Sequence, residues 1–412
     1  MFFYNLSIWL YRTGIYISSS FNEKARLWVL GRKNIFENIQ SKLNSKDNIA
    51  WFHCASLGEF EQGRPVLERF KEDYSNYKIL LTFFSPSGYE VRKNYELADY
   101  IFYLPIDTAK NAKKFINLVN PQIVLFVKYE FWLNYLNILY QKNIPVIVFS
   151  AIFRKNQHFF KWYGTWFRKA LRKISYITVQ NIESIELLKS IGVENAIISG
   201  DTRFDRVYQI SKTTKSFPLI EKFKENSLLL IAGSTWGPDE TIICNYIKDK
   251  KNNIKFIIAP HIVSKENIAI LQKKLTVKSV LFSELTIENV NSSNVLIVDG
   301  IGYLSSLYAY ANIAYIGGGF GKGIHNTLEA ATFGLPIIIG PNYQKFQEAK
   351  DLINKGAAFS IKNKEMFIEK LNELIDHKEK LADCATISKS YVYNNRGATN
   401  VILLKTKEFI NK

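Results

Sequence analysis

Cysteine is scarce in this chain. Only Cys54, Cys244 and Cys384 occur among 412 residues, odd in number, far apart and without a Cys-x-x-Cys pair. A disulfide framework and a thiolate zinc site are thereby disfavoured, and a reducing compartment fits. The five histidines show no His-Glu-x-x-His spacing. No Asp-x-Asp occurs, which argues against a metal-bound nucleotide sugar of the single-Rossmann transferase kind. The absence of Gly-x-x-x-x-Gly-Lys-Ser/Thr disfavours a P-loop NTPase. Acidic residues are outnumbered, 37 against 54 Lys and Arg, for a net charge of +17. That excess fits nucleic acid, an anionic membrane face or phosphorylated substrates as partners.

The first 21 residues, MFFYNLSIWLYRTGIYISSSF, are apolar and aromatic but interrupted by Asn5 and Arg12. They lack the basic start and small-residue end of a cleaved leader. Arg12 near the middle makes a membrane crossing costly, so an interfacial helix is expected, its aromatics dipping into lipid. Lys24, Arg26, Arg32 and Lys33 follow, as on the cytoplasmic side of a membrane segment.

From residue 49 short apolar runs alternate with helical segments. The first series is 49–54, 78–84, 122–127, 144–150, 176–180 and 196–200; the second is 228–233, 254–260, 277–282, 294–299, 313–318 and 336–340. Continuous β-branched runs between helices predict parallel sheets covered on both faces. Two series, in a chain too long for one ordinary core, predict two doubly wound α/β domains facing a cleft. The expected division is a membrane-associating segment 1–35, an acceptor domain 36–205, a linker 206–225 and a donor domain 226–412.

Ligands in such sheets bind beyond the carboxyl ends of the strands. In the second half a strand runs into GGGFGKGIHNTLEAATFG, with Gly318 and Gly319 positioned to let backbone approach a phosphate and a helix expected near Asn326. Glu329 can hold both hydroxyls of a ribose, or pair with Asn326 in a capping box. Ser234-Thr235, Pro260-His261 and the turn Gly300–Tyr303 follow other strands of the series. In the first half Glu59 follows one strand, Glu130 another and Arg203 a third, a set suited to acid/base work near developing negative charge. Glu59 alone can equally be a solvated loop charge or a helix N-terminal charge. CASLG approximates a nucleophile elbow around Ser56, but Cys54 replaces its first glycine, so a serine esterase is disfavoured. Residues 151–176 hold seven Lys and Arg, no acid and interleaved aromatics. Without an RNA-module motif, and with the apolar N-terminus in the same half, this segment reads as lipid-directed.

The motifs HCASLGEF, KYEFW, GDTRFD, AGSTWGPDE and GGGFGKGIHNTLEAATFGLPIIIGPNYQKF together resemble the 3-deoxy-D-manno-octulosonic acid (Kdo) transferases of lipopolysaccharide synthesis. The likeness runs from the N-terminus to about residue 350. It implies a GT-B fold, two Rossmann-like domains, and inverting, metal-independent transfer of Kdo from CMP-Kdo to lipid IVA at the cytoplasmic face of the inner membrane. By the same likeness Glu59 is the general base, and Glu130 and Arg203 support the transition state. CMP falls to Ser234, Thr235, Pro260, His261, Ile301, Gly302, Tyr303, Gly318, Gly319, Asn326, Thr327, Leu328 and Glu329. Ser56, Gly58, Arg154, Lys155, Lys161, Arg168 and Lys169 are expected toward the acceptor and the anionic membrane surface. No cofactor, metal or nucleic acid is expected. The chain departs from the family pattern at His261, where arginine is usual, at Arg203, where lysine is usual, and at Trp132-Leu133, often Trp-Pro. The alternatives are a UDP-sugar transferase of the same fold acting on a lipid-linked acceptor, or a non-catalytic nucleotide-binding protein.

Overall fold

A computed structural model describes residues 1–129, 131–249 and 254–410. The chain divides into two compact units, Met1–Arg206 with Arg396–Lys412, and Val207–Asn395. The first unit holds strands β1 (Asn48–Cys54), β2 (Tyr77–Phe83), β3 (Tyr100–Tyr103), β4 (Ile123–Val127), β5 (Val146–Ala151), β6 (Tyr176–Val179) and β7 (Ala196–Ile198), in the order β3-β2-β1-β4-β5-β6-β7. The second holds β8 (Leu228–Thr235), β9 (Ile254–Pro260), β10 (Val280–Leu281), β11 (Val295–Ile297), β12 (Ile313–Ile316), β13 (Ile337–Ile339) and β14 (Ala358–Ser360), in the order β10-β11-β9-β8-β12-β13-β14. Every pairing is parallel. Strand order reverses between β1 and β4 in the first sheet and between β8 and β12 in the second, so each unit has a switch point where turns diverge.

Alternation within the strands explains how a near-continuous apolar run serves two faces. Ala50, Phe52 and Cys54 of β1 join Phe60, Leu67 and Phe70 of the helix Leu57–Asp73 on one face; Ile49 and Trp51 join Phe115, Tyr135 and Leu139 on the other. β3 and β14 were not among the expected strands. Both are short edge strands, too brief to stand out as apolar runs.

The expected boundaries shift for packing reasons. The proposed linker 206–225 is largely helical: Thr202–Lys212 runs through its start, and Pro218–Lys224 buries Ile220 and Phe223. The last helix, Ala398–Ile410, belongs to the first unit rather than to a donor domain 226–412. Its Ile402 and Leu403 pack with Phe52, Leu67 and Phe149. Asp205 fastens its start, accepting from Gly397 N (2.6 Å), Thr399 N (2.7 Å) and Thr399 Oγ1 (2.7 Å).

The N-terminal segment forms a helix, Phe2–Ser18, with no buried residue. No described helix is long and apolar enough to cross a membrane. Its polar side chains tie it to the first unit. Tyr4 Oη donates to buried Asp107 at 2.5 Å, and Asn5 Oδ1 accepts from Asn134 Nδ2 at 3.0 Å. Phe2, Phe3, Trp9, Leu10 and Ile17 remain exposed. Arg32, expected among cations flanking a membrane segment, turns inward instead. It donates to Trp28 O, Phe84 O and Leu104 O and lies 3.9 Å from the Trp28 ring centroid. The aromatic cage and three carbonyls engage its planar fork, while burial lowers the guanidinium's proton affinity to a pKa of about 9.

Candidate functional site

In the first unit the switch point is built from the turns after β1 and β4. Ser56 is the N-cap of the helix Leu57–Asp73 and Glu59 its N3 residue, and the two form a reciprocal capping box, with Ser56 N donating to Glu59 Oε2 at 3.2 Å. Of the three readings of Glu59, the helix N-terminal charge is therefore realised geometrically. Ser56 is a cap, as its Ser-x-x-Glu spacing requires. A Cβ on exposed Gly58 would meet nothing within 4 Å, so this glycine keeps space open beside Glu59 rather than satisfying a packing demand.

Lys128, just past β4, sits in the left-handed region at φ +62 and donates its N–H to Phe149 O at 2.9 Å. A non-glycine residue there stores strain, a frequent property of site turns. Tyr129 follows. Burial raises its phenol, Glu59 and Asp201 raise it further, and a charged hydrogen bond from Arg154 opposes them. Tyr129 is thus where Glu59, Asp201 and Arg154 meet electrostatically. Glu130 lies outside the described residues. Beyond it Trp132 donates Nε1–H to His53 Nε2 at 3.1 Å and packs on Phe84 with ring centroids 4.7 Å apart, bracing the loop.

Arg203 is held by Asp201, through Nε to Oδ2 at 2.8 Å and backbone N to Oδ1 at 2.9 Å, and Gln62 Nε2 adds a bond to Oδ1 at 2.9 Å. Burial works to raise Asp201, but the Arg203 charge and these donors outweigh it and hold the carboxyl below its usual range. Among the cations expected toward the acceptor, Arg154 reaches Tyr129. Arg168 does not join the group: its guanidinium donates to Phe159 O, Lys161 O and Thr165 Oγ1 and clamps its own loop. Lys155 and Lys169 are exposed and Lys161 half-buried on that segment.

In the second unit the switch point joins the turns after β8 and β12. Ser234 is left-handed at φ +54. Thr235 is buried, its Oγ1 directed to Glu240 Oε1 at 3.4 Å, which occupies the hydroxyl expected for phosphate. The glycine run is required by packing. A Cβ on Gly317 would lie 2.3 Å from Ser234 O, and one on Gly319 would lie 2.6 Å from Gly340 Cα. Gly318 takes φ +90, and its N–H is bonded to Asp239 Oδ2 at 2.9 Å, so it does not point at open space. Asp239, buried, also accepts from Trp236 N at 2.9 Å and Tyr315 Oη at 2.7 Å.

The helix expected near Asn326 is a single turn, Leu328–Ala331, with Thr327 as N-cap, so its dipole is small. Asn326 and Glu329 do not form a capping box. Asn326 Nδ2 donates to Glu329 Oε1 at 3.0 Å, and Leu328 N donates to Asn326 Oδ1 at 3.1 Å. Thr327 Oγ1 is buried without a hydrogen-bond partner among the described residues, an unmet need that costs about 1–3 kcal/mol. Pro260 ends β9, and His261 N–H donates to Thr235 O at 2.9 Å. Exposed Ile301 and Gly302 (φ +88) and half-buried Tyr303 stand beyond β11, two strands from β8.

Residues 31–206 match the family model described as 3-deoxy-D-manno-octulosonic-acid transferase (kdotransferase). The chain is 31% identical over 338 residues to the 3-deoxy-D-manno-octulosonic acid transferase of Aquifex aeolicus, covering 80% of this chain and 87% of that protein. The chain belongs to the Kdo transferase family. It is a glycosyltransferase. The Haemophilus influenzae member is 26% identical over 373 residues, covering 88% of this chain and 87% of that one. A solved UDP-GlcNAc 2-epimerase from Neisseria meningitidis shares the fold at TM-score 0.61 and 17% identity, covering 88% of this chain and 100% of that chain. A glycosyltransferase from Rickettsia africae does so at 0.58 and 13%, covering 89% and 98%. Both place the transferase in the GT-B class of paired parallel-sheet units.

Sequence reasoning missed Tyr129, Asp201, Trp236, Asp239 and His325. Asp239 carried a signal: it stands three residues after Trp236, the spacing at which an N3 carboxylate reaches back to a cap N–H. Replacing Asp239 by Asn leaves one carbonyl oxygen for three donors and sets an NH2 against them. The expected loss is about 3 kcal/mol of stability, read as a lower urea midpoint for the second unit; a change under about 0.5 kcal/mol would show that Asp239 does not fasten these turns.

Proposed function

We propose that this transferase moves Kdo from CMP-Kdo to lipid IVA, with inversion and with Glu59 as general base. The observation that carries the reading is Glu59 at the first switch point, oriented by its cap and grouped with Tyr129 and Arg154. In the proposed step the acceptor hydroxyl attacks the anomeric carbon, the bond from that carbon to the phosphate oxygen breaks, and Glu59 takes the hydroxyl proton. CMP departs as a phosphomonoester, whose charge oriented N–H groups and a nearby cation can accept without metal. Ser234, His261, Gly319, the segment Asn326–Glu329 with Thr327 Oγ1, and the turn Ile301–Tyr303 are the proposed donor contacts. Arg203, aligned by Asp201, supports developing negative charge. Glu130 is proposed for the same support by family likeness alone.

We also propose that the protein works on the cytoplasmic face of the inner membrane, where the acceptor's phosphates and anionic headgroups meet Arg154, Lys155, Lys161 and Lys169. Support comes from exposure. Phe2, Phe3, Trp9 and Leu10 on the first helix, with Trp162 at 90% exposure and Trp166, present apolar side chains outward, and the Phe3 and Trp166 rings lie 5.9 Å apart. Aromatic faces beside cations are the composition of an interfacial surface.

Glu59→Gln should keep the cap, because glutamine also serves at N3, and lose the base. Transfer to lipid IVA, read by mass spectrometry of the lipid, should fall about 10²–10⁴-fold with an unchanged thermal midpoint; retention of activity within threefold would remove Glu59 from the role. Changing Phe2, Phe3, Trp9 and Trp162 together to Ser should reduce co-sedimentation with anionic vesicles at least about tenfold. Equal sedimentation of variant and parent would argue against this surface.

A further inference from the structure

Three rings from three different turns are stacked at the second switch point. Trp236 follows β8, His261 follows β9, and His325 lies in the glycine-rich loop after β12. The His261 ring stacks on both others, 4.7 Å from the Trp236 ring at 25° and 4.3 Å from the His325 ring at 24°. Trp236 also donates its indole N–H to His325 Nε2 at 3.0 Å. The indole is a donor only, so His325 Nε2 must be an acceptor and the proton of neutral His325 sits on Nδ1. Protonating His325 would set N–H against N–H. His261 has no such restriction, is exposed at the turn, and faces an indole whose π-cloud favours a cation.

We propose that His261 grips the donor's phosphate as an imidazolium formed on binding, with Trp236 and His325 as positioning residues that direct the proton to it. This rests on the reading of the second unit as the CMP holder. The cation then appears with the ligand, so phosphate binding is coupled to proton uptake. Burial and neighbouring His261 lower the proton affinity of His325 against a smaller pull from Asp239, which keeps the second ring neutral. The charged groups on the surrounding elements are Asp239, Glu240, Lys248 and Asp249 on the helix Gly237–Asp249, Lys265, Glu266, Lys273 and Lys274 on the helix Lys265–Lys274, and Lys322 and Glu329 after β12. Asp239 is engaged by three donors, Lys274 is paired to Glu240 at 3.3 Å, and Glu329 is bonded to Asn326.

The test is calorimetry of CMP binding to the full-length protein at pH 8.0, where an imidazole is mostly neutral, in buffers of different ionisation enthalpy. The dependence of heat on buffer counts the protons. The expected result is uptake of about one proton per CMP, with affinity weakening about tenfold per pH unit between 7 and 8.5. His261→Arg should bind CMP with no uptake and a flat pH profile over that range. Trp236→Leu should lose affinity about tenfold at pH 8 and much less at pH 6.5; a loss equal at both pH values would make Trp236 a scaffold and overturn its part. CMP binding without uptake, or the same uptake in His261→Arg, overturns the proposal while leaving the donor reading intact. Absence of CMP binding by the parent protein up to millimolar concentration removes the donor reading itself, and this inference with it.

Discussion

Aspartates that collect donors from distant segments hold the functional edges in place. Asp239 gathers Trp236 N, Gly318 N and Tyr315 Oη, so the turns after β8 and β12 cannot separate. Asp201 gathers Arg203 and Gln62, joining the end of the first sheet's last turn to the helix that begins at the cap of Glu59. Asp205 returns the C-terminal helix to the first unit. A buried carboxylate is tolerable only when its oxygens are engaged, and the bonds to Asp239 and Asp201 fix backbone that carries site residues. Left-handed Lys128 and Ser234 stand at the same two edges, where backbone strain is common in site turns.

The observed cap is compatible with the role proposed for Glu59. The capping box orients the carboxylate at a helix N-terminus, where the dipole favours negative charge. A charged, oriented carboxylate beside the open space at Gly58 is what proton abstraction from a hydroxyl needs. The glycine run of the second unit has a similar double character. Gly317 and Gly319 are demanded by contact with the turns 234–235 and 340, and it is this close approach that brings the His325 ring against His261.

Parallel sheets were legible because their strands are buried on both faces and read as uninterrupted β-branched runs, as in Ile123–Val127 and Ile337–Ile339. Glu59 as a helix N-terminal charge was legible, as one of three readings, because its cap is local; the part of Ser56 in that cap was not read. The rest was hidden for one physical reason: its bonds join residues far apart in sequence. Asp201 meets Gln62, Tyr315 meets Asp239, Trp236 meets His325, and nothing in the spacing of either partner announces the other. Arg32 misled for the related reason that a cation beside an apolar segment looks alike whether it faces lipid headgroups or carbonyls and rings. The last helix resembled a continuation of the second unit because its apolar stripe carries no mark of which sheet it covers.

The central claim is that the second sheet's switch point holds the donor nucleotide. Hydrogen exchange of the full-length protein with and without CMP tests it most directly. The account predicts slowed exchange in 234–237, 260–262 and 317–329, the turns after β8, β9 and β12. Protection confined to other segments, with these three unchanged at saturating CMP, would contradict it.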